Sequence, residues 1–161
     1  MADAPSRYRV SAGILLYRRT KAGIEVLLGH PGGPYFEGKE VGAWSIPKGQ
    51  AENGEKLMAV AKREFGEETG HVVGSNARMI ELGSIKQRGG KTVYAWAVEG
   101  DMNPAEAWSN TFQMEWPPRS GIFIDVPELD RVAWFTPAEA RVAMNPAQVP
   151  LVETLLVTLD T

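Results

Sequence analysis

The stretch that decides the fold is Gly49-Gln50-Ala51-Glu52-Asn53-Gly54-Glu55, followed a little further on by Arg63-Glu64-Phe65-Gly66-Glu67-Glu68-Thr69-Gly70-His71. From Glu55 to Thr69 there is no proline, and Lys, Leu, Met, Ala, Arg and Glu dominate. These side chains lose little freedom in a helix, so propensity predicts one over 55–69, with Asn53 or Gly54 as its cap and Gly70 as its terminator. At about 100° per residue, Leu57, Met58, Ala61 and Phe65 share an apolar side. Glu64, Glu67 and Glu68 are spaced i, i+3, i+4 and fall within an arc of about 100°. Three carboxylates so placed repel one another by about a few tenths of a kcal/mol per pair, and by more where water is excluded. They also occupy the last turn, where the helix dipole disfavours negative charge. They adjoin the apolar side instead of facing away from it. Composition alone leaves a solvated acidic face open, but a sequence that accepts both penalties suggests a compensating cation. Hard oxygen ligands point to Mg²⁺ or Mn²⁺ rather than zinc.

Working outward, residues 8–18 alternate and are rich in Val, Ile, Leu and Tyr, which predicts a strand. Residues 18–23 form a polar turn, and 24–29 the returning strand. His30-Pro31-Gly32-Gly33-Pro34 breaks regular structure, so 30–42 is expected to be a surface loop. Residues 43–46 form a short strand stopped by Pro47. Beyond the helix, 77–87 and 91–99 are strands joined at Arg88-Gly89-Gly90, a hairpin signal. Residues 101–121 carry two Trp and three Pro and are expected to be a long irregular loop. Residues 122–124 and 132–135 are short strands, with Trp134-Phe135 in the core. Thr136 caps a helix with Pro137 first and Glu139 three residues on, and a last amphipathic helix spans 147–159. The order β-β-β-α-β-β-β-α-α implies an α/β (α+β) fold, a mixed sheet with helices on both faces.

With 161 residues, the chain suits one domain over 1–161, with residues 1–6 a disordered N-terminus. Cysteine is absent, which removes disulfides, thiolate ligands and thiol nucleophiles and fits a cytoplasmic location. No apolar run is long enough to span a bilayer. A net charge of −3 gives no reason to expect a nucleic-acid duplex as partner. A small anionic substrate remains compatible, because local cations set the field at a site.

Residues 49–71 resemble the Nudix box, G-x5-E-x7-R-E-U-x-E-E-x-G-U with U apolar. Gly49, Glu55, Arg63, Glu64, Phe65, Glu67, Glu68 and Gly70 match at the correct spacing, and His71 departs where an aliphatic residue is usual. The resemblance implies a Nudix-like α/β/α sandwich with a catalytic loop-helix-loop. It implies hydrolysis of a phosphoanhydride bond in a nucleoside diphosphate linked to X. Glu64, Glu67 and Glu68 would ligate Mg²⁺, with Mn²⁺ as substitute, and the Gly49 carbonyl would be a further ligand. Glu55 and Arg63 would hold the loop-helix-loop together and orient the carboxylates. The base that accepts the proton of the attacking water is Glu67 or Glu68 within the box, or Glu115 in the later loop. Glu52 is either a further acid near the metal or a plain loop acid.

Trp44-Ser45-Ile46-Pro47-Lys48-Gly49 is similar to the W-x-x-P-K-G lead-in of Nudix enzymes acting on dinucleoside polyphosphates, diphosphoinositol polyphosphates and some nucleoside triphosphates. Lys48 could meet a phosphate chain there as a point charge. Lys86, Arg88 and Lys91 form a second basic group, and alternation puts Lys86 and Arg88 on one face if the strand persists. Residues 109–119 mix hydroxyls, amides, aromatics and Arg119, a combination able to stack a base and hold a phosphate. Tyr35 and Phe36 are base platforms, or lid or core residues, and His30 is expected to be a turn or phosphate-neighbour histidine and not a metal ligand. Pro47-Lys48-Gly49, Lys86-Gln87-Arg88, Ser109-Asn110-Thr111-Phe112 and Glu115-Trp116-Pro117-Pro118 together resemble a bacterial group of predicted nucleotide pyrophosphohydrolases. The expected substrate is a nucleoside triphosphate or dinucleoside polyphosphate, and the expected assembly a monomer or homodimer. ADP-ribose cleavage and a non-catalytic binding module are the competing expectations.

Overall fold

The computed structural model describes residues 9–160, and the expectation for residues 1–6 lies outside them. The first strand, β1 (Val10–Thr20), turns back into β2 (Gly23–Pro31), with Tyr17 opposite Val26. β3 (Lys48–Gln50) leads to α1 (Leu57–Thr69), and then β4 (Ile80–Lys86) and β5 (Thr92–Glu99) form the hairpin expected at Arg88-Gly89-Gly90. β6 (Thr111–Glu115) and β7 (Phe123–Pro127) make a separate two-stranded sheet. β8 (Leu129–Phe135), α2 (Pro137–Ala143) and α3 (Val149–Asp160) complete the chain.

The main sheet runs β4-β5-β1-β2-β8, with β3 also on β1. β1 is its axis. One edge pairs in parallel with β5 from Val10 to Tyr17, while the other is divided between β3 (Ser11–Gly13) and β2 (Tyr17–Thr20). Alternate residues of β1 serve opposite faces. Ala12, Ile14 and Leu16 pack with Val60, Ala61 and Phe65 of α1. Leu15 and Tyr17 face Ala140 and Ala143 of α2 and Leu151, Val152 and Leu155 of α3. A central strand covered on both faces is apolar throughout, which is why this stretch is so rich in aliphatic residues. The result is the expected mixed sheet between helices.

Several boundaries differ from the sequence expectations. α1 starts at Leu57, because the Glu55 carboxylate accepts the Glu52 N–H (2.8 Å) and closes a turn before the helix can begin. Lys56 is the N-cap residue, in place of Asn53 or Gly54, and it makes no side-chain cap bond. Met58 is exposed, and the buried stripe runs instead through Val60, Ala61, Phe65, Glu68 and Thr69. His30 and Pro31 belong to β2, opposite Arg131 and Leu129 of β8, and not to a loop. β3 has no strand propensity of its own and exists because β1 offers it an edge. β6 lies inside the supposed irregular segment, its alternation muted because Phe112 and Met114 are only half-buried. Thr136 and Glu139 form the anticipated capping box. Among the described residues no helix is long and apolar enough to cross a membrane.

Candidate active site

On the α1 wheel, Glu64 and Glu68 lie within about 20° of Leu57 in the middle of the stripe that faces the sheet, and Glu67 lies at its margin. Burial follows that order. Glu68 is 5% exposed, whereas the side chains of Glu64 and Glu67 are 15% and 43% exposed. The helix ends at Gly70, whose φ of 79° is left-handed and whose N–H returns to the Gly66 carbonyl.

The loop before the helix is tied to it by side chains. Arg63 donates to Glu55 Oε2 at 2.6 Å and to Glu64 Oε2 at 3.3 Å, and lies 3.8 Å from Glu67. A planar guanidinium therefore spans the loop and two helical carboxylates, a task a lysine could not perform with one point charge. On the far side, the Lys48 backbone N–H donates to Glu68 Oε1 at 3.3 Å. Gly49 passes so close that a Cβ there would collide with Cδ and both oxygens of Glu64. Backbone and carboxylate can share that space only because residue 49 has no side chain.

The electrostatics bring in further groups. Burial drives the Glu68 carboxyl up to about 9, with Glu128 and Glu64 pushing the same way and Lys48 opposing. Glu128 is likewise raised, by burial first and then by Glu64, against Lys48 and Lys91. The Lys48 ammonium is lowered by burial and by Lys91, and partly restored by Glu68, Glu128 and Glu64. Glu64, Glu68, Glu128, Lys48 and Lys91 thus form one interacting cluster. Glu128 was not anticipated from the sequence. Nothing in Asp125-Val126-Pro127-Glu128-Leu129-Asp130 distinguishes it from its acidic neighbours. The fold selects it, since its N–H donates to the Asn110 carbonyl (2.9 Å) and the Asn110 N–H donates to that of Glu67 (2.8 Å).

Other predicted residues stand elsewhere. Glu115 ends β6, where its carboxylate accepts the Gly121 N–H at 2.8 Å and closes the tip of the β6–β7 hairpin. Arg119 is exposed in the same tip, with φ at 60°. Lys86 donates to Thr92 Oγ1 at 3.3 Å, and Arg88 is exposed in the turn after β4. Because β4 ends at Lys86, strand alternation does not carry to Arg88. Of that basic trio, Lys91 is the one that acts on the carboxylates. Glu52 is exposed. Tyr35 meets Trp116 edge-on with centroids 5.2 Å apart, bracing the early loop against the hairpin, while Phe36 is exposed. His30 is buried, with Nδ1 3.1 Å from both Asp130 oxygens and Nε2 donating to the Lys39 carbonyl at 2.8 Å. Both nitrogens are thereby occupied by protein groups.

Three observations fit a hard divalent cation. Glu68 is a buried carboxyl with more like charge than opposite charge around it. The space over Glu64 is kept clear by Gly49. The buried Asn110 Oδ1, next to the Glu67 and Glu128 backbones, has no hydrogen-bond partner among the described residues. Among the described residues no three acids or histidines already enclose an ion, so the side chains would have to converge on it.

The family description "NUDIX domain" matches residues 7–155. The chain belongs to the Nudix family. Its Nudix box therefore lies across β3, the following loop and α1. Two curated relatives match over parts of this Nudix chain. An 8-oxo-(d)GTP phosphatase of Mycolicibacterium smegmatis is 38% identical over 64 residues, 38% of this chain. A mitochondrial ADP-ribose pyrophosphatase of Rattus norvegicus is 32% identical over 92 residues, 54% of this chain. These stretches span 20% and 26% of the relatives' own lengths. Among solved structures, a C. elegans Ap4A hydrolase binary complex superposes with a TM-score of 0.68 at 21% identity, covering 94% of this chain and 98% of that one. The Nudix domain of Shewanella oneidensis NrtR, complexed with ADP ribose, gives 0.63 at 16% identity over 93% and 87%. These structural likenesses establish the Nudix fold.

Proposed function

We propose that this Nudix protein is a Mg²⁺-dependent hydrolase of a phosphoanhydride bond in a nucleoside diphosphate linked to X, with a nucleoside triphosphate or dinucleoside polyphosphate as substrate. The observation that carries this reading is Glu68, a carboxyl driven into the buried stripe of α1 beside Glu64 and Glu128. Such crowding weakens a fold unless a cation relieves it. Glu64, Glu67, Glu68 and the Gly49 carbonyl would hold Mg²⁺, with Mn²⁺ able to replace it. Bound there, the ion supplies charge neutralisation at the phosphate oxygens and a more acidic water.

The chain's own residues do the rest. Arg63 and Glu55 orient Glu64. Lys48 and Lys91 place two cations beside the carboxylates, where they would hold a phosphate chain. Glu128 replaces Glu115 as the distal candidate for taking the proton of the attacking water. Its carboxyl is raised from its ordinary value, by burial first and then by Glu64, the direction that favours taking up a proton. Glu115, by contrast, is engaged in a hairpin tip. ADP-ribose remains a second substrate reading, favoured by the match to the rat ADP-ribose pyrophosphatase.

The test is incubation of purified protein and Mg²⁺ with a panel of nucleoside triphosphates, dinucleoside polyphosphates and ADP-ribose, with products identified by mass. Turnover of at least one polyphosphate is expected, together with its loss in Glu67→Gln and Glu68→Gln. Unchanged rates in both variants would remove the metal assignment. Cleavage of ADP-ribose alone would select the second substrate reading.

A further inference from the structure

Trp108 is 66% exposed, and so is its neighbour across a shallow hollow, Val72, at 79%. An isolated apolar side chain at the surface is ordinary. The main chain that carries this one is anchored to α1. The Trp108 N–H donates to the Thr69 carbonyl at 2.9 Å, and two residues on the Asn110 N–H donates to that of Glu67 at 2.8 Å. Both acceptors lie in the last turn of α1, where helical carbonyls lack partners within the helix. The main chain of Trp108 passes close over Gly70, where a Cβ would come within 3.3 Å of Trp108 Cβ. The backbone is thus locked while the ring stays open to solvent. The hollow beside it has a volume of about 440 Å³, with Gly66 and Val73 in its lining and Lys62, Arg63 and Glu67 at its charged edge. That volume is within the usual range for a small-molecule site.

We infer that Trp108 is the stacking platform for a nucleobase of the substrate, a role that rests on the polyphosphate reading above. Arg63 and Glu67 belong both to the hollow and to the carboxylate constellation, so the shelf is continuous with the candidate site. A flat, neutral, aromatic group fits beside the indole and Val72, and Lys62 at the rim suits the anionic chain it carries. The occupant is therefore the base end of a nucleotide.

Two measurements test this. Steady-state kinetics on whichever panel substrate is cleaved should show KM raised about tenfold in Trp108→Ala, the loss expected on removing a stacked aromatic, with kcat little changed. Trp108→Phe should recover most of the affinity, which a merely structural role would not explain. The second readout needs neither metal nor turnover. In ¹⁵N-tryptophan-labelled protein, the indole signal absent from Trp108→Phe should shift on titration with adenosine or guanosine to about 10 mM. If KM in Trp108→Ala stays within about twofold of the parent, the assignment is overturned. If the parent cleaves nothing, the catalytic reading fails and the nucleoside titration decides alone. A shift confined to that signal then supports the shelf, and no shift refutes it.

Discussion

Replacing Gly49 by alanine separates the geometry of the site from the stability of the fold. The φ of Gly49 lies outside the left-handed region, so alanine meets no backbone obstacle. The difficulty is the new methyl, which would fall below 3.0 Å from Cδ, Oε1 and Oε2 of Glu64. Ordinary contact begins at 3.4 Å and Glu64 Cδ lies 1.9 Å from the added Cβ, so the carboxyl must withdraw by about 1.5 Å. It can do so cheaply, because it is the end of a flexible side chain and already partly exposed. The fold therefore loses little, and the Tm should stay within about 3 °C of the parent, about 1 kcal/mol at this size. Catalysis should lose much more. A displacement of about 1 Å in a reacting constellation can cost on the order of a hundredfold, and that is the expected fall in kcat/KM. The assay is initial-rate hydrolysis of the best panel substrate at saturating Mg²⁺, beside a thermal melt of each protein. A rate within about threefold of the parent would refute the placement of Glu64 against Gly49. A large drop in Tm would refute the claim that only the side chain yields.

Three further outcomes are expected. The Glu68 carboxyl stands near 9 in the folded chain against an ordinary 4.5, so the folded state retains a proton that the unfolded chain releases. The stability that this buried carboxyl contributes to the metal-free protein is therefore fully present below pH 4.5 and is lost as pH rises through about 9. Thermal melts across that range should flatten in Glu68→Gln, and an equal slope in both proteins would contradict the burial. Arg63→Lys keeps the charge but not the fork that holds Glu55 and Glu64, so kcat/KM should drop about tenfold with little change in Tm; parental kinetics would remove its positioning role. Gln148 is fully buried, accepts the Ile46 N–H at 2.9 Å and donates to Ser45 Oγ and Gln87 Oε1. Gln148→Leu should cost about 1–3 kcal/mol in urea unfolding through the orphaned N–H. An unchanged midpoint would show that the network carries no net stability.

The parts of the molecule that were legible in the sequence are those specified within one or two turns of chain. The periodicity of α1, its Gly70 stop, the Thr136–Glu139 capping box and the Gly89-Gly90 turn each depend on near neighbours, and each is present. The acidic trio could be found because its spacing is local as well. The unforeseen features are non-local. Lys48-Gly49-Gln50 becomes a strand only because β1 has an open edge. Glu128 reaches the cluster because Asn110 couples β8's approach to the end of α1, a meeting of segments far apart in sequence. Lys91 and Lys86 are nearly adjacent in sequence and look equivalent there, yet only the first acts on Glu128. Met58 misled for a simpler reason. A wheel gives direction around a helix but does not tell whether the sheet extends beneath its first turn.

The divided edge of β1 has a consequence for how the site is assembled. Where β2 diverges, the vacancy along the sheet is filled by β3, so Lys48 and Gly49 are woven into the hydrogen-bonded lattice before any ligand arrives. The Lys48–Gly49 segment is a plank of the floor, not a flap above it. Ion loading would then reorganise carboxylate rotamers alone, leaving main-chain disorder out of the entropy of binding. Insertions should be far better tolerated at the outlying β6–β7 tip than between Pro47 and Gln50, where one added residue would throw β3 out of register with β1.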